Sequence, residues 1–187
     1  MKFFIGKKLG MTTIFTDEGK AENVTLLSVV PSTVGLVRTE GRDGYTAVQL
    51  TVAKTPKKTA TYEFAITDAA PYVPAAAYAP EIAVGNVVAI TAPNKAKGFQ
   101  GGVKRHGFKG QTSSHGRKHD MRKPGALGSA TPQKVFKGQR MAGRMGGEIT
   151  TTTGLKVVYY NATENILAVR GAVPGVAGRL VRVQITK

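Results

Sequence analysis

The stretch that decides the architecture is residues 95–146, KAKGFQGGVKRHGFKGQTSSHGRKHDMRKPGALGSATPQKVFKGQRMAGRMG. It holds 13 of the chain's 27 Lys and Arg residues against a single acid, Asp120. Its net charge is therefore +12, out of +16 for all 187 residues. Eleven of the 23 glycines also fall here, with all three histidines, His106, His115 and His119. Only six residues are Ile, Leu, Val or Phe: Phe99, Val103, Phe108, Leu127, Val135 and Phe136. So little apolar surface cannot offset the entropy of ordering the segment. The expectation is an extended excursion ordered by a partner, not a second globular domain. Connections this long are functional or disordered as a rule.

The flanks read differently. Residues 24–30 (VTLLSVV), 33–37 (TVGLV), 45–52 (YTAVQLTV), 84–90 (VGNVVAI), 155–160 (LKVVYY), 166–170 (ILAVR) and 180–185 (LVRVQI) are short and rich in β-branched residues. Turn signals bound them at Asp17-Glu18-Gly19, Gly41-Arg42-Asp43-Gly44, residues 161–165 and Pro174-Gly175. About seven short strands predict a mostly β fold, a small closed or nearly closed barrel. The barrel domain comprises residues 1–94 and 147–187, and the basic loop of 95–146 is inserted between its strands. Residues 53–83, with Pro71-Tyr72-Val73-Pro74 and an alanine cluster, read as an irregular loop with at most one helical turn. No long amphipathic helix is predicted.

The rest of the composition narrows the chemistry. There are no cysteines, which removes disulfides, thiolate zinc sites and cysteine nucleophiles. The opening Met1-Lys2-Phe3-Phe4-Ile5-Gly6-Lys7-Lys8 lacks the pattern of a signal peptide, and no apolar run approaches membrane-spanning length. A soluble, intracellular chain is expected. A charge of +16 favours a polyanionic partner, because self-repulsion otherwise opposes compaction. Nucleic acid is the commonest such partner.

Three groups of residues within the basic segment carry the chemistry. In residues 104–110 (KRHGFKG), Lys104, Arg105 and Lys109 suit phosphates, while His106 or Phe108 suits stacking on an unpaired base. In residues 115–123 (HGRKHDMRK), His115 and His119 have a metal-ligand spacing, but Gly116 separates them and Arg117, Lys118, Arg122 and Lys123 repel a cation. Ser114, His115 and Asp120 do not make a catalytic triad by adjacency alone. In residues 124–146, Lys134, Lys137, Arg140 and Arg144 are further phosphate ligands, and nothing matches a P-loop. Met141 and Met145 have the spacing of one face of a short helix. No metal, cofactor, catalytic residue or small-molecule substrate is expected. The irregular, glycine-rich form favours folded RNA over duplex DNA, whose readers present a rigid helix or ribbon.

At these residues the chain resembles the bacterial form of ribosomal protein L-three. The resemblance rests on Lys97-Gly98-Phe99-Gln100-Gly101, Val103-Lys104-Arg105-His106-Gly107-Phe108, Ser114-His115-Gly116, Ala130-Thr131-Pro132, Val135-Phe136-Lys137-Gly138 and Met141-Ala142-Gly143-Arg144-Met145-Gly146. The ends agree through Ile5-Gly6-Lys7-Lys8-Leu9-Gly10-Met11-Thr12 and Val169-Arg170-Gly171-Ala172-Val173-Pro174-Gly175. It implies a barrel like that of translation factors and a central extension reaching toward the peptidyl transferase centre. It implies a cytoplasmic, ribosome-bound protein that binds near the 3′ end of large-subunit rRNA early in assembly, beside proteins L-fourteen and L-nineteen. By carry-over Lys97, Lys104, Arg105, His106, His115, Lys137 and Arg144 contact rRNA, with Lys7 and Lys8 from the matched opening. The tip departs from the family pattern: residues 121–128 read MRKPGALG, the next loop is one residue shorter, and Gln133 replaces a glycine. The competing readings are a nucleoid-type DNA binder and a barrel enzyme with a basic substrate loop.

Overall fold

A computed structural model of the chain describes residues 2–16, 19–67 and 69–187. Its elements are β1 (Lys2–Phe15), β2 (Ala21–Val29), β3 (Ser32–Arg38), α1 (Glu40–Asp43), β4 (Ala47–Thr55), β5 (Lys58–Ala65) and β6 (Ala77–Tyr78). There follow β7 (Val87–Pro93), β8 (Phe99–Gln100), α2 (Gly102–His106), β9 (Gly143–Arg144), β10 (Ile149–Asn161), β11 (Ile166–Arg170) and β12 (Leu180–Ile185). The mostly β expectation holds, and no helix among the described residues is long and apolar enough to cross a membrane. The chain divides into two compact units, Met1–Asn94 with Ile149–Lys187, and Lys95–Glu148.

In the first unit, six antiparallel strands pair in a closed ring, β1-β12-β7-β10-β11-β2. Phe4, Leu27, Ile90, Val157, Leu167 and Val183 are among the buried residues of its core. The opening residues Phe3, Phe4 and Ile5 were not among the expected strands, yet they form the first half of β1. That half is buried on both faces, so it reads as an apolar run and not as an alternation. Phe4 belongs to the barrel core, whereas Phe3 and Ile5 belong to a second core.

That second core corrects the seven-strand barrel. The runs at 33–37 and 45–52 leave the ring and form a four-stranded sheet, ordered β5-β4-β3-β6. Val34, Val48, Leu50, Val52 and Phe64 from this sheet cover Phe3 and Ile5. The physical reason is the surplus apolar face of β1, which a lone barrel would leave in water. The Phe3 ring stacks on Phe64, Tyr72 and Tyr78 at centroid distances of 4.5, 5.7 and 5.4 Å. The 53–83 region, expected to be irregular, is therefore structured in part, with strand at 53–55, 58–65 and 77–78. β4 runs on to Thr55 and pairs back with Lys58 through Pro56-Lys57, a turn whose first position suits the fixed φ of proline. Among its described residues no helix forms, and the short helix α1 lies earlier, at the Gly41-Arg42-Asp43-Gly44 turn. Two other boundaries shift: the 84–90 run becomes β7 at 87–93, and β10 begins six residues before the expected 155. Of the Asp17-Glu18-Gly19 turn, Asp17 and Glu18 lie outside the described residues.

The edge of the second sheet is locked by polar groups. The Glu63 carboxylate accepts from Gln49 Nε2 at 2.8 Å, Tyr45 Oη at 2.9 Å and Arg38 Nε at 3.0 Å. Arg38 also pairs with Asp43 at 2.9 Å. The hydrogen bond from Gln49, then those from Tyr45 and Arg38, hold the Glu63 carboxyl below its ordinary 4.5. A depressed carboxyl pKa stabilises the fold above the unfolded value and loses that stabilisation as pH falls through the folded one. Unfolding free energy from urea titrations should thus decline between about pH 5 and pH 3, and Glu63→Gln should flatten that decline. Partial exposure limits the effect to about 1 kcal/mol or less. Phe3→Ala, which empties the second core, should instead cost about 3–5 kcal/mol at neutral pH.

Candidate nucleic-acid interface

The second unit contains no buried residue at all. Its order comes from a clasp at the base. Lys97 N–H donates to the Met145 carbonyl and Met145 N–H to the Gly98 carbonyl, both at 2.9 Å. β8 and β9 continue this ladder through Phe99↔Arg144 and Gln100↔Gly143. α2 follows at once, and two of its side chains reach across to the returning arm. Arg105 Nη1 donates to the Met141 carbonyl at 2.8 Å. His106 Nε2 lies 3.1 Å from the same oxygen, which only accepts, so that nitrogen carries the proton.

Two glycines make the clasp possible. A Cβ on Gly143 would stand 2.6 Å from Arg105 Nη1, displacing the guanidinium from its seat. A Cβ on Gly102 would meet the Phe108 ring at 2.8 Å, so that ring packs on bare backbone. Phe108 lies 5.8 Å from the His106 ring, centroid to centroid. The proposed Met141–Met145 helix does not form: Gly143 and Arg144 between them are a strand. Helix is found instead at Gly102–His106, immediately after the first arm.

Beyond the base, every residue from 111 to 142 is exposed except Asp120, which is half-buried. Asp120 pairs with Lys123 at 2.9 Å. His115 and Gly116 both have left-handed backbone, φ 59° and 76°, so His115 and His119 share no helical face. Among the described residues no group of three His, Cys, Asp or Glu side chains comes together as a metal site.

The expected contact residues therefore separate into classes. Lys97, Lys104, Lys109, His115, Arg117, Lys118, His119, Arg122, Lys123, Lys134, Lys137, Arg140 and Arg144 present exposed side chains. Arg105, His106 and Phe108 are half-buried and serve the clasp. In the first unit Lys7 is exposed, whereas Lys8 is buried. Its side chain is 9% exposed, and Nζ donates to the carbonyls of Val173 at 2.6 Å and Gly175 at 3.1 Å. An ammonium committed to backbone acceptors inside the fold ties down the 173–175 loop. Conversely, Phe99 and Phe136 are 76% and 60% exposed, and they replace Phe108 as the stacking candidates. All three sit beside a glycine or lysine in sequence, so nothing in the string separates the packed ring from the free ones.

With this geometry in place, the comparisons with known proteins become specific. The family model described as Ribosomal protein L3 matches residues 58–165, a span that contains the whole basic unit. The chain is 41% identical over 202 residues to the large ribosomal subunit protein uL3 of Desulforudis audaxviator (strain MP104C), covering 98% of this chain and 94% of the relative. The uL3 proteins of Leifsonia xyli subsp. xyli (strain CTCB07) and Alcanivorax borkumensis (strain ATCC 700651 / DSM 11573 / NCIMB 13689 / SK2) are 40% and 38% identical. They cover 96% and 97% of this chain, and 92% and 95% of those relatives. The chain belongs to the ribosomal protein L3 family. The excursion is therefore a family feature, lying within the matched span and not in an appendage of this chain.

The division between clasp and free cations is testable by amide hydrogen exchange. Arg105→Gln, or Gly143→Ala, should speed exchange in residues 101–107 and 143–145 by about tenfold or more, since a charge-assisted bond to Met141 is lost. Lys104→Gln, one position away but exposed, should leave exchange there unchanged.

Proposed function

We propose that the chain is a structural, non-catalytic protein of the large ribosomal subunit that binds ribosomal RNA through the unit Lys95–Glu148. The carrying observation is residues 111–142, which are exposed almost throughout yet hold seven Lys and Arg against one acid. A chain of that kind gains its shelter and its counter-charge from outside itself. Folded RNA supplies both, with phosphates for the free lysines and arginines and unpaired bases for Phe99 and Phe136. The relatives' shared name, large ribosomal subunit protein uL3, supports the same partner.

The finer reading rests on the family resemblance. The six-stranded ring is then a barrel of the translation-factor kind, and the basic unit is the extension directed toward the peptidyl transferase centre. Binding takes place near the 3′ end of large-subunit rRNA, in the cytoplasm and early in assembly. Proteins L-fourteen and L-nineteen are neighbours on the subunit. Lys97, Lys104, Lys109, His115, Lys137, Arg140 and Arg144 are the phosphate and base ligands. Arg105 and His106 act by holding the two arms together.

Limited trypsin digestion tests the central claim. The free chain should be cut first around Arg117, Lys118, Arg122 and Lys123, and a large-subunit rRNA transcript should protect those bonds. Affinity for the transcript should fall with salt, with a slope of about −0.7 to −0.9 per neutralised phosphate. Equal protection by duplex DNA would favour a nucleoid-type role, and no protection by rRNA would defeat the proposal.

A further inference from the structure

We infer that the first unit carries a second RNA site, a cleft that grips one stretch of phosphodiester backbone and one base independently of the basic loop. The inference rests on the RNA-binding reading and extends it from Lys7, in the matched opening, to Lys54, Tyr62 and Arg179, which no motif singles out. The cleft, of about 660 Å³, lies between the end of the β4–β5 hairpin and residues 176–180. Lys7, Lys54 and Arg179 line it, and among the described residues no acid does.

These cations stand far apart in sequence, in a part of the chain whose net charge outside residues 95–146 is only +4. Their convergence without a carboxylate is thus a product of the fold and not of a basic run. All three are exposed, and their charged groups make no hydrogen bond or ion pair among the described residues. Other cations of this unit are committed, Arg38 to Glu63 and Asp43, and Lys8 to two carbonyls. The rest of the lining is mostly apolar, with Val30 and Leu180 beside the half-buried Tyr62 ring. An aromatic wall among unpaired cations suits a nucleotide better than a protein carboxylate: the ring stacks on a base while the cations take the flanking phosphates.

The test uses the full chain and a large-subunit rRNA transcript. Lys7→Gln, Lys54→Gln and Arg179→Gln are combined, beside a control triple of equally exposed cations, Arg42→Gln, Lys156→Gln and Lys187→Gln. The cleft triple should flatten the log affinity against log salt slope by about 2 to 3, at roughly 0.7–0.9 per lost phosphate contact. The control should change it by less than one contact's worth. Both triples should keep the wild-type thermal midpoint, because all six side chains are exposed. Ultraviolet crosslinking of the wild-type complex should place a nucleotide adduct on Tyr62. Equal losses in the two triples, or no loss in either, would overturn the cleft while leaving the loop's role intact. Loop adducts without one at Tyr62 would remove the base contact. A wild-type chain that fails to bind the transcript would sink the RNA reading itself.

Discussion

The rest of the structure depends on the pairing of β7 with β10. The chain leaves the first unit after Asn94 and returns at Ile149, which is the cross-strand partner of Pro93. Thr91 and Thr151 share a hydroxyl hydrogen bond at 2.8 Å, and Asn94 donates to Thr150 at 3.3 Å. Bringing together the ends of a loop this long costs on the order of 3–4 kcal/mol in chain entropy. The excursion has no core with which to offset that. The apolar side chains of β7, Val88, Ile90 and Ala92 among them, are buried in the barrel and provide it instead. The coreless unit can exist because a cored one closes it.

A second closure divides the loop again. The Lys97–Met145 ladder and the double contact on the Met141 carbonyl fix both arms before the chain runs out to 111–142. This closure uses two of the segment's own basic side chains, and the choice of residue has a reason. Arg105 presents several donors in a rigid plane and His106 presents a ring N–H, so both can satisfy a carbonyl without burying a compact ammonium. The lysines nearby, with strongly hydrated ammonium groups, stay in water. Chemically similar neighbours thus hold different posts: Lys104 faces out while Arg105 faces across.

What the sequence made legible was the property summed over many residues. The charge of residues 95–146, their glycine content and their lack of apolar residues sufficed to mark an excursion, because no local contact could reverse them. The β-branched runs were legible as strands for the same reason. What stayed hidden depended on partners distant in the chain. Phe3 and Ile5 gave no alternation because β1 is buried on both faces, so the second sheet had no visible reason to exist. The Pro56-Lys57 turn joins Thr55 to Lys58 inside a stretch expected to be irregular, because the strands it links find their partners only in the second sheet. Lys8 and Lys7 are adjacent and identical, and only the carbonyls of Val173 and Gly175 distinguish the buried tie from the free cation.

The same reasoning bears on how order and binding are coupled. Within 111–142 the backbone is held by few internal bonds, such as Gln111 N–H to the Met121 carbonyl at 3.0 Å and Lys134 N–H to the Pro132 carbonyl at 2.7 Å. The first closes a ten-residue span and the second a single turn, while seven cations in the same stretch repel one another. Under the RNA-binding role proposed above, relieving that repulsion and holding the backbone are one event, driven by the partner's phosphates. The clasp at the base is exempt, since its hydrogen bonds are made to backbone carbonyls within the unit. Closure is thus layered: β7 and β10 close the excursion, the clasp joins its two arms, and under the proposed role the polyanion holds what remains. A rigid tip would gain nothing from neutralisation, whereas a coreless tip converts each phosphate contact into structure.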